Sequence, residues 1–92
     1  MYTWLITVDK LADEYSNESG MIGPMTATMG IDEITSHPDR QHFRMYDDDG
    51  VHYYSSYLVG GDGFEPLDDF GTPNAGCTEI HYRNQDGTYS TL

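Results

Sequence analysis

The residues with chemistry to offer are carboxylates. Asp47, Asp48 and Asp49 stand together before Gly50, and Asp62, Glu65, Asp68 and Asp69 follow, giving seven acids in 23 residues with no Lys or Arg among them. Acids clustered before a glycine resemble a calcium loop, which needs oxygen ligands at fixed offsets and a bidentate glutamate to close it. With Gly50 set on the invariant glycine, the first position is Met45 and the last is Ser56, so both end ligands are missing and an EF-hand is excluded. A simpler hard-cation site would use Asp47 with Asp49, or Asp62 with Asp68 or Asp69; the competing reading is acidic turns in water. No metal or other cofactor is assigned.

The other reactive side chains do not combine. His37, His42, His52 and His81 with Cys77 lack the close paired spacing of a structural zinc motif. A nucleophilic centre would need Cys77 or a serine beside an oriented histidine. Strand alternation from Cys77 turns that residue and His81 to one face, roughly 13 Å apart, beyond contact. Cys77 therefore reads as a small buried hydrophobe. There is no glycine-rich loop leading into a helix and a lysine, which excludes a P-loop. With the carboxylates on turns, where water keeps their acidity ordinary, no catalytic residue is assigned and the chain reads as a non-enzyme.

The charge balance points instead to binding. Sixteen acids against four Lys and Arg give a net charge of −12 in 92 residues. A field of that sign attracts cationic partners and repels nucleic acid and anionic membrane, so direct contact with either is not expected. The amino terminus MYTWLITVDK lacks the features of a secretory signal, and the lone Cys77 leaves no disulfide framework, which together read as cytoplasmic.

The elements that must position these residues are read from periodicity. Residues 2 to 8 alternate as a strand with Tyr2, Trp4, Ile6 and Val8 on one face. Val8, Leu11, Ala12 and Tyr15 then fall at helical spacing, predicting one or two helical turns. Residues 16 to 30, broken by Gly20, Gly23-Pro24 and Gly30, read as a loop or irregular arm. Ile31 to Ile34 suggest a short helix ended at His37-Pro38. The central hairpin pairs Gln41–Tyr46 with Val51–Val59; a two-residue Asp49-Gly50 turn sets Met45 opposite Tyr54, and a three-residue loop shifts that register. Residues 65 to 77 read as a compact loop pinned by Leu67 and Phe70, and Thr78 to Arg83 as a strand that returns through Asp86-Gly87 to Leu92. The sum is one α+β domain spanning residues 1 to 92, built on a twisted antiparallel sheet of about five strands with one or two short helices.

The stretch from Phe43 to Tyr82 resembles a block found in small, acidic, uncharacterised proteins of bacteria and their phages. The shared features are FRMYDDDG, the pair Tyr53-Tyr54, and GFEPLDDFGTPNAGCTEIHY, covering somewhat under half of the chain. The resemblance implies a recurrent compact domain and transfers no site. In size and charge, though not in motif, the chain is also similar to phage inhibitors of host defence, the anti-CRISPR and antirestriction proteins. Were both acidic loops at one sheet edge, they would make an anionic surface interleaved with Tyr46, Tyr53, Phe64 and Phe70. Twelve charges match about 20 Å of duplex at one per ~1.7 Å. The expected function is a phage-type inhibitor that blocks the basic nucleic-acid-binding surface of a defence effector by charge mimicry. The alternative is a small adaptor domain whose acidity serves only solubility.

Overall fold

The computed structural model describes residues 1–92. Six strands form one antiparallel sheet in the order β2-β1-β4-β3-β5-β6, where β1 is Thr3–Asp9, β2 Ile22–Gly23, β3 Gln41–Tyr46, β4 His52–Val59, β5 Glu79–Arg83 and β6 Tyr89–Thr91. Helix α1 (Ile31–Ser36) lies over part of one face. A π-helical turn (Leu67–Gly71) running into α2 (Thr72–Ala75) covers the other.

The packed face follows from alternation. Trp4, Ile6, Phe43, Met45, Tyr54, Leu58 and Ile80 point to one side and meet Leu67, Phe70 and Cys77 from the covering segment. Leu5 and Val59 point the other way and are sealed by Ile34 of α1. Burial on both sides explains why Thr3, Trp4, Leu5 and Ile6 are all buried rather than every second residue. A register shift between Ile6 and Val8 sets Val8 opposite Ser55, so Val8 leaves the face of Trp4 and Ile6 and is exposed.

The central hairpin reconciles both expected registers. Its loop is three residues, closed where the Asp47 amide donates to the Val51 carbonyl, and Gly50 takes the left-handed conformation at φ 79°. That loop alone would misalign Met45. A bulge restores it: Tyr46 pairs with His52 while Met45 pairs with Tyr54, leaving Tyr53 extra. The bulge also sends His52 to the open face and lets Tyr53 pack against the core.

Three local expectations need correction. No helix follows β1: the Asp9 carboxylate accepts the Leu11 and Glu18 amides, and Asp13 accepts those of Tyr15 and Ser16. Short side chains that capture nearby amides compete directly with helical bonding. The arm at residues 16 to 30 contributes the two-residue edge strand β2, paired to β1 through Trp4 and Leu5. Residues 67 to 75, read as a loop, are helical and end at Gly76, left-handed at φ 70°.

No helix is long and apolar enough to cross a membrane.

Candidate functional site

The seven acids fall into two groups at opposite ends of the sheet. Asp47, Asp48 and Asp49 precede β4, whereas Asp62 and Glu65 follow it, and eight residues of strand separate the two by roughly 20–25 Å. They do not make one continuous surface.

At the hairpin tip, Asp47 is an internal organiser. Its Oδ1 accepts the amides of Val51 (2.8 Å) and Asp49 (3.0 Å), and its Oδ2 accepts the Tyr53 hydroxyl (2.9 Å). The Val51 amide foremost, with the Tyr53 hydroxyl and the Asp49 amide, holds the Asp47 carboxyl below the usual carboxylate range. The same contact pushes the Tyr53 phenol up. One oxygen from each of Asp47, Asp48 and Asp49 lies within 4.8 Å of the others, a spacing that suits a hard cation. Asp47 has little left to give such an ion, and only Asp48 and Asp49 project freely into solvent.

The far end is built differently. The Asp69 carboxylate accepts the Tyr2 hydroxyl at 2.6 Å and the Trp4 indole N–H at 3.1 Å, both on Oδ2. That hydrogen bond, then burial and the neighbouring negative charges of Asp69, Glu65 and Asp68, push the Tyr2 phenol up to about 12. Asp62 and Asp68 are exposed and Glu65 is half-buried, none of them hydrogen-bonded through its carboxylate to protein. Beside Asp69 opens a groove of about 410 Å³ lined by Trp4, Met21, Ile22, Pro24, Met25 and Phe70. This falls within the size range of ligand clefts, and its methionines are adaptable apolar contacts. Sequence reasoning missed it because its outer wall is the arm read as a loop. The available signal was Met21, Ile22 and Met25, apolar residues set in a polar stretch.

The four aromatic residues singled out from the sequence go to four environments. Phe70 is interior, with ring centroids 5.2 Å from Trp4 and 5.0 Å from Tyr54. Phe64 is exposed at the far end, and Tyr53 is tied to Asp47. Tyr46 lies on the open face between His52 and His81, at centroid distances of 5.1 and 4.2 Å. Cys77, buried in the core, has its thiol pushed up to about 11 by burial. It lies on the packed side while His81 faces the open side, so the two are separated by the sheet as well as by distance along it.

The open face gathers three of the four Lys and Arg residues. Arg44 faces Ser55 and His81, Arg83 faces Tyr89, and His42 faces Tyr57. The Arg44 guanidinium stacks 4.0 Å over the Tyr89 ring, and that of Arg40 lies 5.7 Å from the Tyr57 centroid. Burial first, then the positive charges of Arg83 and Arg40, lower the pKa of His42. No Lys or Arg reaches a carboxylate: the one ion-pair contact is His81 with Glu79, at 2.9 Å. The Nε atoms of Arg40 and Arg44 are buried without an acceptor.

Comparison with protein-family models, with curated proteins and with solved structures gives no match to this chain.

Proposed function

We propose that this chain is a non-enzymatic binding protein that seats its acidic, groove-bearing end on a basic protein surface of the kind that otherwise holds nucleic acid. The observation that carries this reading is the arrangement around Asp69. An apolar groove of about 410 Å³ opens beside Asp69, and the segment leading into Asp69 also carries the unpaired carboxylates of Asp62, Glu65 and Asp68. The acids supply long-range attraction, and the groove supplies the desolvated pocket in which a few side chains decide affinity.

The hairpin tip is a second anionic point on a molecule measuring 32 × 32 × 19 Å. Two points roughly 20–25 Å apart are comparable to the about 20 Å of duplex that carries twelve charges, the net charge of the whole chain. The class likeness to phage inhibitors makes a cytoplasmic defence effector the first partner to test. The groove also suits an adaptor domain, in which apolar docking dominates and the acids serve solubility.

Salt separates the two. Capture from host lysate is compared at low and high ionic strength for the native chain and for a variant neutralised at Asp48, Asp49, Asp62, Glu65 and Asp68. Asp47 and Asp69 are left intact because they hold internal hydrogen bonds. Salt-sensitive capture of a nucleic-acid-binding complex, lost in the variant and competed by duplex DNA, supports the mimic. Capture indifferent to salt and neutralisation but lost in Met25→Glu would replace it with the adaptor.

A further inference from the structure

We infer that the open sheet face is a second binding site, for a compact phosphate-bearing anion held among Arg44, Arg83 and His42. Three of the four Lys and Arg residues, in a chain with 16 acids, gather on or beside this one face. A sheet face in water needs no explanation by itself. Arginines placed without purpose in so acidic a chain would find carboxylates, and these three find none. The acid on this face, Glu79, is engaged by His81.

The geometry suits one oxyanion. Phe43 pairs with Tyr82, which sets His42 across from Arg83 and leaves Arg44 as the diagonal neighbour of Arg83. Diagonal positions on adjacent strands lie about 7–8 Å apart, close enough for two guanidinium groups to converge on one phosphate. Stacking on Tyr89 fixes the Arg44 plane in advance, so little side-chain freedom is lost on binding. Phosphate is the better match than a single carboxylate because it presents three oxygens to the two guanidinium forks and the imidazole. A long polyanion would have to approach through the field of a −12 molecule, which confines the occupant to a small one.

The test is a titration with inorganic phosphate at constant ionic strength, balanced with chloride and followed by NMR on the backbone amides of β3 and β5. Saturable shifts at His42, Arg44 and Arg83 are expected, weakened about tenfold in Arg44→Gln and in Arg83→Gln, the loss of one charge-assisted contact. Lys10→Gln, outside the cluster, should bind as the native chain does. Arg83 is exposed, so its variant keeps the test valid if Arg44→Gln fails to fold. A nucleoside monophosphate in place of phosphate tells whether the tyrosine rings add base stacking: equal binding assigns the site to the phosphate group, and tighter binding assigns it to a nucleotide. This inference is independent of the acidic loops. Neutralising the five free acids should tighten phosphate binding while abolishing the capture described above. Absence of saturable shifts, equal shifts with chloride alone, or binding unchanged in both arginine variants would overturn it.

Discussion

Asp69 shows how one residue can be misjudged from the sequence. It is one of four acids between residues 62 and 69, and composition gives no reason to separate it from Asp68. Yet it is the acceptor for both Tyr2 and Trp4, and the Trp4 side of that contact is buried at 4% exposure. Asp69→Ala leaves the indole N–H without a partner where water has poor access, at a cost of about 1–3 kcal/mol. Asp69→Asn keeps a carbonyl acceptor and should lose less. The Tyr2 phenol, held up to about 12 mainly by this carboxylate, should fall toward its ordinary 10.0 in either variant. Urea unfolding and ultraviolet titration of the tyrosines measure the two effects, and a native Tyr2 titration in Asp69→Ala would refute the assignment. Asp47 is the parallel case at the other end: Asp47→Ala removes the acceptor for two amides and a phenol at once. Hairpin amides at Asp49 and Val51 should then exchange faster with solvent, while β6 amides stay protected.

The strands were readable because their information is local. Alternation across Gln41–Tyr46 and Val51–Val59 is enough to place Phe43, Met45, Tyr54 and Leu58 on one face, and the structure keeps them there. What escaped depended on distant contacts or on backbone capture. Residues 11 to 15 have helical spacing but lose their amides to Asp9 and Asp13. The helical run 67–75 carries Gly71 and Pro73 in its interior and stops at Gly76, and is held by burying Leu67 and Phe70 against the sheet. Edge strand β2 has only two residues, and its place is set by a fit that no periodicity encodes: a Cβ on Gly23 would overlap the Trp4 indole. Gly23→Ala should therefore push β2 off β1, break the Ile6–Met21 and Gly20–Ile6 backbone bonds, and open the groove wall. Faster amide exchange at Ile6 and Gly20, with a red-shifted Trp4 emission, is the expected readout. Gly30→Ala is the control, because a Cβ there meets nothing within 4 Å. Identical protection in both variants would show that β2 is not locked by this contact.

Taken together, the titrating groups give the whole molecule a stability window. On the alkaline side the fold keeps its phenols and thiol protonated. Tyr82, half-buried and donating to the Gly63 carbonyl, is raised furthest, Tyr53 and Tyr54 are raised, Tyr2 is at about 12 and Cys77 at about 11. The unfolded chain releases those protons first, near ordinary values of 10.0 for Tyr and 9.0 for Cys, so stability declines as pH rises through that range. On the acid side, burial foremost lowers the pKa of His42 and His52 below 6.5. Here the unfolded chain takes protons first, and stability falls as pH drops below that value. Asp47 and Asp86, lowered from 3.8 by the Val51 amide and the Thr88 hydroxyl respectively, add a further loss at lower pH. The limbs leave a plateau between about pH 7 and 9. Within it the formal net charge of −12 opposes compaction, so added salt should raise the melting temperature there. Melting temperatures across pH 4 to 11 at two salt concentrations test the whole account. Tyr82→Phe should flatten part of the alkaline limb, and His42→Gln with His52→Gln should flatten the step below pH 6.5 without moving the other limb. Stability that rose steadily from pH 9 to 11 would contradict the burial that raises Tyr54, Tyr82 and Cys77, and with it the packing of residues 65 to 77 over the sheet.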